Sequence, residues 1–218
     1  MSKEPQIVLD SIYAFPPNRH ILGGTSYLIV KNQGNVLIDC PLWHDQTHQF
    51  IEQMGGVSTL ILTHRGGISP QLSEIYEALN CEIWIQEQEA YLIAPLPVQT
   101  FCKSQKFEDG DRMLWTPGHS PGASCFYSPV ENGVLFTGRH LLPDAQGRPQ
   151  PLKMPKTFHW PRQLASINLL LQEFSSETLS YLLPGANVGL LRGKRVIPDA
   201  YTALEAVTKT LTRAKVRG

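Results

Sequence analysis

The residues of this 218-residue chain best suited to chemistry are its seven histidines and a handful of arginines. His64 and Arg65 stand in Leu62-Thr63-His64-Arg65-Gly66-Gly67, and His119 in Thr116-Pro117-Gly118-His119-Ser120-Pro121-Gly122. Arg139 and His140 follow Thr137-Gly138. A neutral imidazole offers one nitrogen as acceptor, base or metal ligand, whereas a guanidinium is a fixed cation whose fork matches carboxylate or phosphate. The Gly66-Gly67 pair adds backbone N–H groups able to form a small anion nest. His44 and His48 are spaced i,i+4 on an amphipathic run, a separation that can hold a metal. With no glutamate or third ligand in that motif, the pair reads as an ordinary helix surface. His20 and His159 are candidates by residue type alone. Cys40, Cys81, Cys102 and Cys125 form no C-x-x-C pair and no metal-type spacing. Three of them sit in or beside apolar segments and read as buried free thiols, a disulfide or a nucleophilic thiol being the alternatives.

The elements that must carry these residues follow from periodicity and punctuation. Strands are expected at Gln6–Tyr13, Thr25–Lys31 and Asn35–Asp39, the last two joined by the turn Asn32-Gln33-Gly34. His44–Met54 reads as a helix stopped by Gly55-Gly56, and Ser58–Leu62 as a strand buried on both faces. A loop over Thr63–Ser69 leads to a helix with Ser69 as cap and Pro70 in its first turn, running to about Leu79. A strand at Glu82–Ile85 and a short helix at Gln86–Leu92 complete the first half. The second half repeats the grammar with a strand at Arg112–Thr116, a hairpin of Ala123–Ser128 and Gly133–Thr137 across Pro129–Asn132, and a Pro/Gly-rich loop over Leu142–Pro161. A helix Arg162–Phe174, a buried strand Thr178–Leu183 and a helix from about Pro198 to Ala214 follow. Arg139 and His140, adjacent on an extended strand, would point to opposite faces. No linker separates the halves, so residues 1–218 read as a single α/β domain.

Composition narrows the function classes. Nineteen Lys plus Arg balance nineteen Asp plus Glu, which argues against a dedicated nucleic-acid binder. No apolar run reaches the ~18 residues of a membrane span, and the N-terminal segment has acidic and proline residues where a signal peptide needs its apolar core. The expectation is a cytoplasmic protein. Arg192, Lys194, Arg195, Arg213, Lys215 and Arg217 make a basic C-terminal patch, read as solvated surface, with docking of an acidic partner as the alternative.

Five segments in order give the chain a family likeness. Thr25–Val30 with Asn35–Pro41, ending near Asp39, Leu60–Pro70, Thr116–Tyr127, Val134–Leu142 and Tyr181–Asn187 together resemble the metallo-β-lactamase fold superfamily. The resemblance implies an αββα four-layer sandwich, two mixed β-sheets flanked by helices, with loops from both halves meeting at one edge. It also implies zinc or iron held by imidazoles and carboxylates, lowering the pKa of a bound water. Here the likeness breaks down. His64 falls on the first histidine of the family's T-H-x-H-x-D-H loop and His119 on the histidine of T-P-G-H. The remaining ligand positions are Gly66, Ile68, Ser69, Arg139 and Ala186.

Two imidazoles are too few for a stable zinc site. Arg139 puts a permanent cation where the family bridges its metals with a carboxylate, an electrostatic change of order several kcal/mol at an effective dielectric near 20. The expectation is therefore a non-catalytic member acting as a binding or assembly module, with no metal and no cofactor. Its pocket would be lined by His64, Arg65, Ser69, His119 and Arg139 and take a small anion, or else meet an unknown protein partner. The alternative is an ester, thioester or phosphoester hydrolase, through a rebuilt zinc or iron site or through metal-free acid–base work by His64 and His119. In the loop Leu142–Pro161, the prolines with Phe158 and Trp160 suggest a rigid, partly apolar flap near the pocket mouth, a plain surface crossover being the alternative.

Overall fold

The computed structural model describes residues 3–186, 191 and 195–216. The first sheet runs in the order β1 (Gln6–Leu9), β2 (Ile12–Ala14), β3 (Tyr27–Ile29), β4 (Val36–Ile38), β5 (Thr59–Leu62), β6 (Glu82–Gln86) and β7 (Gln99–Phe101). It is antiparallel up to β4 and parallel from β4 to β7. The second sheet contains β8 (Ser104–Lys106), β9 (Arg112–Trp115), β10 (Ser124–Ser128), β11 (Val134–Gly138), β14 (Tyr181–Pro184) and β15 (Ile197–Pro198), with β11 and β14 parallel. β12 (Leu142–Pro143) and β13 (Pro149–Gln150) form a small separate ladder.

The layering can be read from side-chain alternation. Along β3, β4 and β5, Leu28, Leu37, Leu60 and Leu62 join the cluster beneath α1 (Asp45–Gln53) and α2 (Leu72–Leu79). Their neighbours Tyr27, Ile29, Ile38 and Ile61 turn to the other face and meet Met113, Phe126, Phe136 and Leu183 of the second sheet. On that sheet Cys125, Tyr127, Leu135 and Leu182 face outward onto α3 (Trp160–Glu173) and α4 (Ala200–Val216). A period of two on strands buried on both faces leaves no room but for a helix–sheet–sheet–helix stack. The αββα architecture expected from the sequence is the one observed. At one flank Lys31 sits 2.5 Å from Asp109 and 2.6 Å from Asp111, joining the two sheets by an ion triad.

Several element boundaries differ from expectation. The first strand is two, because the chain reverses at Asp10-Ser11 and Ile12–Ala14 pairs back onto Gln6–Leu9. β7 and β8 were not foreseen: both are three-residue, largely polar edge strands without apolar alternation. Pro198 does not open the last helix but pairs in β15, and the helix begins after Asp199 turns through φ +51°. Of the C-terminal basic patch, Arg195 is no solvated cation, since its guanidinium donates to Ala14 O (3.2 Å) and Phe15 O (2.7 Å). The backbone positions of Arg192, Lys194 and Arg217 and the side chains of Arg213 and Lys215 lie outside the described residues.

Gly118 shows how tightly α3 is set against the second sheet's loops. It has φ +149°, and a Cβ there would lie 2.2 Å from Gln163 Cβ and 2.3 Å from Gln163 Cα. Ser166 and His159 add hydrogen bonds from the helix end to Pro117 O (3.0 Å) and Gly118 O (2.9 Å). Gly118→Ala is expected to cost at least about 3 kcal/mol, combining backbone strain with overpacking against a helix backbone, and chemical denaturation would measure it.

Candidate functional site

The C-terminal ends of β4, β5, β11 and β14 lie at one edge, where the loops are stitched together. Ser124 N–H donates to Thr63 O at 2.8 Å, Gly185 N–H to Gly138 O at 2.8 Å, and Thr25 N–H to Gly185 O at 2.8 Å. Asp39, Thr63, His64 and Arg139 belong to these segments, and His119 stands on the loop between β9 and β10 that leads into Ser124.

Asp39 is buried at the end of β4 and receives two bonds from Thr63. The backbone N–H reaches Oδ1 at 2.8 Å and the hydroxyl reaches Oδ2 at 2.7 Å. Thr63 Oγ1 is also 2.9 Å from His64 Nδ1. With the single hydroxyl proton directed at an ionised Asp39, the threonine oxygen accepts from His64 Nδ1–H. This assigns the tautomer of His64 and leaves Nε2 with its lone pair. That nitrogen is buried and has no hydrogen-bond partner among the described residues. Burial, then His119 and Arg139, holds the His64 pKa well below the usual imidazole range, so the ring is neutral. Burial is also the largest influence on Asp39, pushing its carboxyl to about 6 against the opposing effects of the Thr63 bonds and Arg139.

His119 stands edge-on to His64, ring centroids 5.5 Å apart. Its pKa is lowered, first by burial and then by Arg139. The Arg139 guanidinium is half-buried and donates through Nη2 to Ile21 O (3.0 Å) and Leu22 O (3.3 Å). Its Nε and Nη1 make no bond among the described residues. Arg139 and Asp39 form no direct ion pair: each charge shifts the other's pKa, but Thr63 occupies the carboxylate. Gly66 lies between guanidinium and imidazole. A Cβ on it would sit 2.9 Å from His64 Nε2 and 4.0 Å from Arg139 Nε, so the gap that the glycine leaves is too narrow for a methyl group.

Other expected site residues are placed differently. Arg65 is exposed, but its Nε donates to Glu89 Oε1 at 2.8 Å and its backbone N–H to Oε2 at 2.6 Å. It is thereby committed to a buried carboxylate on the turn Glu87–Ile93. Ser69 is buried with Oγ 3.2 Å from the Gln71 N–H, shaping the turn into α2 rather than facing the gap. His140 is not on an extended strand: its N–H closes a turn to Thr137 O at 2.9 Å. Its ring is buried with both nitrogens unpartnered among the described residues, and burial brings its pKa to about 3. His44 and His159 cap α1 and α3, accepting from Thr47 N–H (3.2 Å) and Arg162 N–H (3.1 Å), and His48 stacks on Trp43. Cys40, Cys81 and Cys125 are buried free thiols and Cys102 is exposed. The sequence placed Asp39 only at the end of a family-like segment and gave Thr63 no role; their link to His64 is a matter of side-chain rotamer that no spacing rule reveals.

Comparison with solved structures settles the architecture. An archaeal metallo-β-lactamase superfamily protein from Sulfolobus tokodaii superposes with a TM-score of 0.66 at 13% identity, over 94% of this chain and 87% of its own. The chain has the metallo-β-lactamase fold. The metallo-β-lactamase family protein TTHA1429 from Thermus thermophilus matches equally, with a TM-score of 0.66 at 19% identity over 95% and 81%. TTHA1623, solved in a di-iron-bound form, matches with a TM-score of 0.61 at 24% identity over 87% and 96%. A curated relative, the lactamase-like protein nscB of Arthroderma benhamiae, is 30% identical over 139 residues, 58% of this chain but only 30% of that protein's length. No family model matches the sequence. Within this metallo-β-lactamase fold, no group of three or more His, Cys, Asp or Glu side chains among the described residues is placed to hold a metal ion. No helix among them is long and apolar enough to cross a membrane.

Proposed function

We propose that this chain is a non-catalytic, anion-binding version of the metallo-β-lactamase fold, its pocket organised by Arg139 in place of a metal. The carrying observation is the guanidinium held across Gly66 from His64 Nε2, with its Nε and Nη1 unengaged among the described residues. The donor set fits a divalent ion poorly. His64 offers one lone pair and His119 a second, while positions 66, 68, 69 and 186 carry Gly, Ile, Ser and Ala. A fixed positive charge beside the gap opposes a dication by several kcal/mol at an effective dielectric near 20, and the same charge favours a carboxylate or phosphate.

Elemental analysis of protein purified without added metal is expected to find zinc, iron and manganese well below one per chain. Stoichiometric metal would overturn the reading and put a hydrolase first. Acetate and inorganic phosphate, titrated against the protein by NMR, are expected to shift the His64 and His119 ring resonances. Gly66→Ala, whose Cβ would lie 2.9 Å from buried His64 Nε2, should weaken that binding at least about tenfold and cost about 1–3 kcal/mol of folding stability through overpacking.

One observation favours a hydrolytic reading instead. The Asp39–Thr63–His64 chain leaves a buried, oriented imidazole lone pair beside the gap, the geometry in which a general base is held. Turnover of chromogenic esters or phosphodiesters that survives chelator and is lost in His64→Gln would promote it.

A further inference from the structure

Resting on that anion-site reading, we propose that the ligand is an anionic amphiphile. Its carboxylate head would lie on Arg139 and its unbranched apolar tail across the exposed rim of Leu22 and Phe158. Seven large apolar side chains are exposed among the described residues, and six of them, Leu22, Tyr91, Leu92, Leu152, Met154 and Phe158, lie on three segments fastened to this one site. Leu22, 80% exposed, has its carbonyl held by Arg139 Nη2. Phe158, 50% exposed, donates its N–H to His119 O at 3.2 Å and follows Thr157, which closes the turn that carries Leu152 and Met154. Tyr91 and Leu92 ride on the turn Glu87–Ile93, whose Glu89 grips Arg65 next to His64. Scattered exposed apolar residues need no explanation, but a set carried on segments bonded to the residues of one site marks a surface that a ligand can cover.

Leu22 sharpens the point. It occupies the left-handed region at φ +56° and leaves its side chain in water, unfavourable on both counts for folding alone. The recess itself limits the occupant. The space over Gly66 is too narrow for a methyl and ends at a half-buried cation, so a head group can only lie at its edge, on the guanidinium. Charge decides the head: the N–H edges of Arg139 that are unengaged among the described residues call for an acceptor with negative charge.

The test is calorimetric titration with acetate, hexanoate and octanoate below their micelle concentrations, with octanol and octyltrimethylammonium as controls. Each tail methylene laid on the rim is expected to tighten binding up to about fourfold, so octanoate should bind at least a hundredfold more tightly than acetate. Leu22→Asn, which keeps the left-handed backbone, and Phe158→Ser alter exposed side chains only. Each should weaken octanoate about tenfold and leave acetate unchanged. A series with no dependence on chain length overturns the amphiphile while the anion site stands. Equal binding of octanoate, octanol and octyltrimethylammonium, unaffected by Arg139→Gln, overturns the anion site and with it this proposal. Absence of binding by every probe overturns both.

Discussion

Arg139→Asp is expected to abolish anion binding, weakening acetate or phosphate by at least about a hundredfold. Exchanging a cation for a carboxylate near 4 Å from a bound anion changes the interaction by several kcal/mol at an effective dielectric near 20, and charge-assisted bonds from the guanidinium vanish as well. The substitution also removes the two bonds to Ile21 O and Leu22 O that fasten the 19–24 turn. It places a second carboxylate near buried Asp39, whose charged form is already disfavoured. A stability loss of about 2 kcal/mol is therefore expected beside the binding loss. Arg139→Gln separates the two effects: it adds no charge, and it should bind anions about tenfold to a hundredfold more weakly than the parent while staying folded. Unchanged acetate affinity in either folded variant would remove Arg139 from the site.

That position 139 matters was legible in the sequence, since the family likeness of Val134–Leu142 put an arginine where a carboxylate is expected. The likeness also gave the layer order, because strands such as Thr59–Leu62 and Val134–Gly138 are apolar on both faces and can only lie between a helix and another sheet. What could not be read was decided by rotamers and by short polar pairings. Gln99–Phe101 and Ser104–Lys106 have no periodic signal, and their pairing is set by the strands already in place. Arg65 looked like a free cation beside His64, yet it answers a glutamate 24 residues away. Ser69 looked like a pocket hydroxyl, yet it serves the turn into α2. In each case the competing partner is remote in sequence or the choice is local hydrogen bonding, and composition carries neither.

Asp39 makes the stability of this fold fall as pH rises, with a sign opposite to that of a salt-bridged carboxylate. Its folded pKa is raised from the ordinary 3.8 to about 6, so the folded state holds the proton more tightly than the unfolded chain. Stability from this group is complete below about pH 4, declines as pH rises through the folded value, and is lost above it, a change of about 3 kcal/mol. Asp39→Asn keeps the shape and an acceptor for the Thr63 N–H without the charge. The stability difference between variant and parent, measured by denaturation, should therefore move in favour of the variant by about 2.5 kcal/mol from pH 4 to pH 7.5. A difference that stays constant across that range would mean Asp39 is not buried as a charge. The same proton affects the ligand. When Asp39 is neutral it donates to Thr63, the threonine hydroxyl turns to His64 Nδ1, and His64 Nε2 becomes an N–H facing the gap. An anion beside Arg139 gains that donor only in the protonated arrangement, so its binding takes up a proton. Acetate affinity should then rise as pH falls from 8 to 6 in the parent and show no such rise in Asp39→Asn, where the amide already donates to Thr63 and fixes His64 as the Nε2–H tautomer at every pH.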